Sequence, residues 1–577
     1  MELLNTGGES AVVELRGAGV DLDWTLDPAE HRVIAMEIGE GDCRIDGPTS
    51  VILGSPRIGR PPAEPRLLVV VLVDTLRADH VNPDLMPGVT EFFADGRRWH
   101  AAAANAPWTL PSVASLFTSR PVLELTSPDG EMVGLPDGMA TWATTLHNAG
   151  FEGAAVVANY TVHALNGFAG GFSSFQVPDG HGGEIAPDAA WVAEEARRWL
   201  ASHRGEDAFL YLHFMDPHEP YRDHSCSGVD LPPLRPLARR QREATAEEAR
   251  QLVSRYAGEI RHVDGVLAEF LGELPDGASV VLTSDHGEGL GEHGAWAHGP
   301  NLYQEALSVP LMVRGPEILR GDVVEPAQLL DLAPTLLDLT GLESPEGMTG
   351  RSLLVGGSSE PIVSVTFSAG PLRWAWREAN RKVVMRMAPQ PGLGAVARRS
   401  VVEAEPLPAG MFLVDLTVDP GEDRPGPIPD VFMHRVTEVF AGTAATMAPG
   451  MQIFGWGAGQ IEVVLDSDQE LELSQAWSFS AVEISHQNGR FIARCAEDGV
   501  VCAMVATPQS VPAMVTPVET GRRWWGIVAG GPLDPRSLEF PNVGGPGLYV
   551  WWNAERPLIV GGYDETLERL RALGYIE

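Results

Sequence analysis

The stretch LLVVVLVD (67–74) is seven aliphatic residues closed by an acid. A strand with one wet face alternates apolar and polar side chains, so a run that is apolar at every position belongs to a strand buried on both faces. Similar runs follow at GAAVVAN (153–159), AFLYLHFMD (208–216), SVVLTSD (279–285) and LMVRG (311–315). Segments of helical period separate them. One is DAAWVAEEARRWLASH (188–203); another spans 244–274, where Leu252, Tyr256, Ile260, Val263, Leu267 and Phe270 recur at steps of three or four. Buried strands alternating with helices predict an α/β domain with a large, mostly parallel central sheet flanked by helices. In such sheets ligands gather beyond the carboxyl ends of the strands. The polar residues that close these runs are therefore the first places to look for chemistry.

Outward from this region the texture changes on both sides. Residues 1–62 hold short alternating runs (AVVELRG, HRVIAMEI, SVILG) and then the proline-rich GRPPAEPR (59–66), which reads as a small β-rich unit and a linker. The α/β pattern occupies 63–425. Residues 426–577 read as a β-rich domain that closes on a short amphipathic helix, DETLERLRALGYIE (564–577). Within 460–506 the Asn-Gly and Asp-Gly steps are hairpin signals.

Composition narrows the function. The 577 residues carry a formal net charge of −37, which argues against nucleic acid or an anionic membrane as partner, since both call for basic patches. A phosphate-bearing substrate stays open, because a bound cation inverts the local field. Lys382 is the sole lysine. The four cysteines have no metal-binding spacing and are too few for a disulfide scaffold. No run approaches the roughly 20 apolar residues of a membrane span. The N-terminus lacks the basic and apolar regions of a signal peptide, and a soluble, cytoplasmic protein is expected.

Four clusters could carry chemistry. Asp285 and His286, in SDHGEGLGEHGAWAHGP (284–300), close the strand SVVLTSD and are a mixed oxygen/nitrogen pair suited to Zn²⁺ or Mn²⁺; His298 follows in a second His-Gly step. Asp74 closes the first buried run, where the bland reading is a helix cap. Thr109 and Ser112 flank Pro111 at the start of a helix, where a hydroxyl is either a cap or a group held among backbone N–H donors that favour an anion. His213, Asp216 and His218, in HFMDPHEPY (213–221), close a buried strand; several titratable groups at one strand end suggest a site.

In this order, VLVDTLRADH (71–80), APWTLPSVASLF (106–117), HFMDPHEPY (213–221), the 284–316 segment, DLAPTLLDLTGLESPEGMTGRSLL (331–354), MFLVDLTVDPGED (411–423) and the closing LRALGYIE resemble the sulfatase-like hydrolases of the alkaline phosphatase superfamily. The resemblance implies an alkaline-phosphatase-like α/β sandwich. It implies that Asp74, Asp285 and His286 bind a divalent ion together with Thr109. Thr109 falls where sulfatases carry the cysteine or serine converted to formylglycine, and the sulfatase C-x-P-S-R pattern here reads T-L-P-S-V. His218 and His298 match histidines that contact the transferred group, and Asp216 is expected beside them as a substrate-binding residue. A threonine cannot become formylglycine, Val113 replaces the arginine, and no counterpart of the active-site lysines exists. Threonine nucleophiles occur instead in phosphodiesterases, nucleotide pyrophosphatases and phosphoryl-headgroup transferases of the superfamily. Asp216 is followed four residues on by Pro220, not by the histidine of the D-x-x-x-H pair seen in two-metal relatives.

The reading is a metal-dependent phosphate-ester hydrolase or transferase working through a phospho-Thr109 intermediate, with Zn²⁺ or Mn²⁺ favoured over Ca²⁺ or Mg²⁺ and a small-molecule, lipid-headgroup or glycan ester as substrate. Oligomeric state is not legible. One rival is a sulfuric ester hydrolase acting without formylglycine. Another is a non-catalytic glycan- or partner-binding protein, to which the tryptophans of the last domain (Trp456, Trp477, Trp524, Trp525, Trp551, Trp552) would lend aromatic surface.

Overall fold

The structure, a computed structural model, describes residues 65–386 and 410–426, except 126–133, 137, 179–186, 204, 225–227, 229, 317, 356–360 and 367–372, together with separate segments between 2 and 53 and between 450 and 553. An eight-stranded sheet forms the centre. Its strands are β1 (Leu67–Val73), β2 (Arg97–Trp99), β3 (Glu152–Val157), β4 (Ser174–Gln176), β5 (Ala208–Phe214), β6 (Ser279–Thr283), β7 (Leu311–Arg314) and β8 (Gly321–Val323), in the order β4-β3-β5-β1-β6-β7-β2-β8. Neighbours in the β4-β3-β5-β1-β6 run are all parallel, whereas β7 runs antiparallel to both β6 and β2.

The all-apolar runs do what double-sided burial requires. Leu68, Val70 and Leu72 join one core with Phe209, Tyr211 and Val281. Val69, Val71 and Val73 join a second core on the opposite face with Leu210, Leu212, Phe214, Val280 and Leu282. Each such side chain taken fully from water stabilises the fold by roughly 1.5–3 kcal/mol before entropy is counted. Helices α1 (Pro87–Phe92), α4 (Ala189–Ser202) and α5 (Ala246–Gly272) cover the second face, while α2 (Thr109–Thr118), α3 (Trp142–Asn148) and α6 (Leu332–Leu339) cover the first. The apolar stripe of α5, from Leu252 through Phe270, is buried as its period predicts. This helix starts on a capping box, with Thr245 and Glu248 each serving the other's backbone N–H. No described helix is long and apolar enough to cross a membrane.

A four-stranded antiparallel sheet follows: β9 (Ile362–Thr366), β10 (Arg373–Glu378), β11 (Arg381–Arg386) and β12 (Gly410–Asp415). Lys382 of β11 is buried there. Its ammonium donates to the Leu302 carbonyl and lies 2.7 Å from Oε1 of Glu422. The stretch MFLVDLTVDPGED thus supplies a buried acid that holds this sheet against the chain around Leu302.

The flanking regions are β-structured where described. Ala11–Gly17 pairs with Val20–Leu26 and with Cys43–Asp46. Gly450–Asn553 contributes a five-stranded and a four-stranded sheet. The Asn-Gly step joins two paired strands, Glu483–Gln487 and Arg490–Cys495. The Asp-Gly step does not make the expected hairpin: Arg490–Cys495 and Val500–Ala506 belong to different sheets. Alternation marks both as strands, but a turn signal does not say whether the chain folds back or changes sheet. The expected helix at 564–577 lies outside the described residues, as do the side chains of the C-terminal tryptophans.

Candidate active site

Two strand ends and one helix start build the site. Asp74 follows β1, Ser284, Asp285 and His286 follow β6, and Thr109 is the first residue of α2. The capping readings fall away. Trp108, not Thr109, is the N-cap of α2 and offers no side-chain cap. The Thr109 hydroxyl points away from the helix, 3.5 Å from Oδ2 of Asp74 and 3.4 Å from Nε2 of His286. Ser112, one turn on, donates to the Asp285 carbonyl at 2.6 Å and pins α2 to the strand end.

Each carboxylate has one oxygen held and one free. Oδ2 of Asp74 accepts from Asn159 Nδ2 at 2.8 Å and faces His213 Nε2 at 3.1 Å, while Oδ1 is buried without a hydrogen-bond partner. Oδ1 of Asp285 accepts the backbone N–H groups of His286 at 3.0 Å and Thr75 at 3.3 Å, while Oδ2 is buried without a partner. Thr75 reaches this position at φ 58°, a left-handed conformation that a β-branched residue adopts only under constraint. His286 directs Nδ1 to the Gly287 carbonyl at 2.9 Å, so its Nε2 faces the two orphaned oxygens, 3.3 Å from Asp285 Oδ2 and 3.7 Å from Asp74 Oδ1. Gly287 permits the fold of this loop, since a Cβ there would stand 2.0 Å from the Glu305 carbonyl oxygen.

The electrostatics follow from burial. Asp74, Asp285 and His286 are all fully buried. Burial opposes the Asp74 charge, but His213, His218 and His286 outweigh it and hold the carboxyl below the usual range. Burial, and then the Asp74 charge, push Asp285 well up. Burial and the nearby His298 push His286 down to about 3, leaving the neutral imidazole that a metal ligand must be. Ligand atoms of the three residues lie within 4.8 Å of one another. Two partnerless carboxylate oxygens and a neutral imidazole nitrogen, buried together, are a donor set that a divalent cation satisfies.

His218 and His298 join this group. Their rings meet edge to face with centroids 4.9 Å apart, and His298 lies 4.4 Å from the His286 ring. His218 holds Nδ1 on the Glu219 carbonyl at 2.6 Å. His298 sets Nδ1 3.2 Å from Oε1 of the buried Glu288. Burial lowers His298, but Glu288, with Asp74 and Glu219, outweighs it and raises it to about 9, so the ring is cationic at neutral pH.

Asp216 is the residue that the structure does not bring here. It is buried on the loop after β5, but its Oδ1 accepts from Arg222 at 3.0 Å, and it groups with His224 and His262 instead. Asn159, which directly orders Asp74, was not singled out from sequence, although it closes the run GAAVVAN by the same strand-end rule. Arg77 was also missed. It forks onto Asp79, pairs with Glu292 at 2.7 Å and donates to the Glu288 carbonyl at 3.2 Å, bracing the glycine-rich loop.

A buried acid–acid–histidine cradle under a helix-borne hydroxyl lies at the carboxyl edge of a mostly parallel sheet, in a domain of alkaline-phosphatase-like fold. The sulfatase family model matches residues 66–342, and that stretch is a sulfatase-family domain. Arylsulfatase K of Xenopus laevis is 34% identical over 142 residues, which are 23% of this chain and 26% of that protein. The 2,3-bisphosphoglycerate-independent phosphoglycerate mutase of Ruegeria sp. is 44% identical over 102 residues, 16% of this chain and 18% of that protein. Both curated relatives are thus matched over about a quarter of their length or less. The solved structure of a 2-O GAG sulfatase superposes with a TM-score of 0.50 at 20% identity, covering 65% of this chain and 90% of that one, which speaks for the fold.

Proposed function

We propose that this domain hydrolyses or transfers phosphate esters, phosphodiesters or phosphoryl headgroups in particular, through a covalent phospho-Thr109 intermediate. In this reading Asp74, Asp285 and His286 hold one divalent ion, Zn²⁺ or Mn²⁺ in preference to Ca²⁺ or Mg²⁺. The observation that carries it is the Thr109 hydroxyl, 3.4 Å from His286 and 3.5 Å from Asp74 at the first turn of α2. When bound, the ion would lower the pKa of that hydroxyl and offset charge on the ester oxygens.

The chain's own groups supply the rest. The backbone N–H groups of the first turn of α2 face an anion favourably. Thr109 Oγ1, its proton lost to solvent, attacks phosphorus; the new O–P bond forms as the bond to the leaving oxygen breaks. His298, cationic beside Glu288, offsets charge on the phosphoryl oxygens, and His218 or His298 protonates the leaving oxygen. Water or an acceptor alcohol then cleaves the Thr109 O–P bond.

Phosphate is favoured over sulfate on three counts. Thr109 cannot yield formylglycine, Val113 stands where the sulfatase pattern has arginine, and Lys382 is committed to Glu422 and Leu302. The likeness to a phosphoglycerate mutase accords with this; the likeness to arylsulfatase K supports the sulfate alternative. Thr109→Ala assayed on bis-(p-nitrophenyl) phosphate tests the reading. Loss of turnover with loss of a phosphoryl adduct at residue 109 by mass spectrometry is expected. Undiminished turnover would remove Thr109 as nucleophile, and turnover of p-nitrophenyl sulfate above both phosphate mono- and diesters would replace phosphate by sulfate.

A further inference from the structure

A second group of metal-type side chains converges away from Thr109. Asp216 places Oδ1 on Arg222, and its Oδ2 is buried without a hydrogen-bond partner. His262, on α5, likewise has a buried Nε2 without a partner. His224 stacks on His262 with ring centroids 4.2 Å apart and planes 15° from parallel. Ligand atoms of Asp216, His224 and His262 lie within 4.8 Å of one another. Glu259, one turn before His262, is 1% exposed; its Oε2 lies 2.8 Å from His224 Nε2, and its Oε1 accepts the Arg222 backbone N–H.

Such a cluster is costly as it stands. Two carboxylates share a buried place with a single guanidinium, and a partnerless carboxylate oxygen and ring nitrogen sit within it. Burial pushes Glu259 up to about 8, with Asp216 adding to it against the Arg222 N–H. Burial pushes both His224 and His262 down, toward the neutral form that binds metals.

We propose that Asp216, His224 and His262 form a second divalent-cation site of Zn²⁺ type, with Glu259 as the carboxylate that orients His224. A cation would meet the orphaned Asp216 oxygen and His262 nitrogen at once and balance the second carboxylate. Two imidazoles and a carboxylate are a zinc-type donor set, and a carboxylate behind a ligating histidine is the usual outer partner. The site would tie the loop after β5, which carries His218, to the long helix α5. It does not rest on the ester-processing reading, and it differs from the D-x-x-x-H pair, since Pro220 stands at the fourth position and His224 at the eighth.

The test is a count of ions in the full chain. Chelator-stripped protein is titrated with Co²⁺, desalted, and analysed for cobalt per chain, alongside His262→Gln and Asp285→Asn. The expected result is one ion that His262→Gln loses and Asp285→Asn keeps, with the d–d absorption of imidazole-bound Co²⁺ falling in step. If the Asp285 site fails to load, the wild type binds only this ion, and His262→Gln still abolishes it. Cobalt content unchanged by His262→Gln would overturn the proposal, leaving a hydrogen-bonded carboxyl pair between Asp216 and Glu259 in its place. Metal-free melting curves of variant and wild type verify folding. Should His262→Gln fail to fold, His224→Gln, whose side chain is 25% exposed, gives the same two-way reading.

Discussion

The side-chain amide of Asn159 donates to Oδ2 of Asp74 at 2.8 Å, and Oδ1 of the same carboxylate accepts nothing. His213 shares the held oxygen at 3.1 Å, while its Nδ1 meets the Tyr211 hydroxyl at 3.1 Å; a proton on Nε2 satisfies both contacts. The two residues fix which oxygen turns to the cradle. Asn159→Ala is expected to weaken divalent-ion affinity about 10- to 100-fold. Competition against a chromophoric chelator measures this, and an unaltered affinity would show that Asn159 does not orient Asp74.

Gly287 sets a second expectation. Any side chain there drives a Cβ to within 2.0 Å of the Glu305 carbonyl, a backbone atom that cannot swing aside. Gly287→Ala should therefore displace His286 and Glu288 together. Loss of ion binding with a melting temperature lowered by several degrees is the predicted pair of results. A variant that binds its ion as the wild type does would mean that the loop shifts freely.

The buried Lys382–Glu422 pair predicts an asymmetric double-mutant cycle. Lys382→Met strands the Glu422 carboxylate, which is 3% exposed, at a cost of about 3–5 kcal/mol. Glu422 also accepts the Gln304 backbone N–H at 2.6 Å, so the partner change must keep an acceptor. Lys382→Met/Glu422→Gln should recover most of the loss. Urea unfolding midpoints of the four proteins give the cycle, and strict additivity would contradict a coupled pair.

His293 supplies a pH dependence outside the cradle. It lies 2.9 Å from Glu305 and 2.8 Å from the Gly421 carbonyl, and it stacks on Tyr303 at 3.7 Å. Burial opposes its charge, but Glu305 outweighs burial and raises its pKa. A folded pKa above the unfolded value of about 6.5 means stability fully present below that value and lost as pH rises through the raised one. The melting-temperature gap between wild type and His293→Asn should thus be widest near pH 5.5 and narrow into the alkaline range. A gap that does not vary with pH would rule the histidine out as its source.

Much of this was legible because strand ends in a parallel sheet collect polar residues. Asp74 and Asp285–His286 each close an apolar run, and the structure brings them together. Asn159 obeys the same rule and could have been read, whereas His213, singled out with Asp216 and His218, sits inside β5, where its position in the run does not say that it faces Asp74. Asp216 shows the limit of the rule. It lies two residues past β5, yet Arg222, His224 and, on α5, His262 draw its carboxylate away, and the approach of α5 is fixed by tertiary packing. The reversal of β7 escaped notice for a related reason: LMVR is as apolar as its parallel neighbours, and burial on two faces does not record direction.

The placement of Lys382 has a practical consequence. The chain has no other lysine, and this one is 1% exposed. An acylating reagent added to the folded protein therefore meets no lysine amine on the surface. Residue 382 reacts when β11 parts from Leu302 and Glu422, so the rate of its acetylation, followed by peptide mass, is a clock for the opening of that one seam.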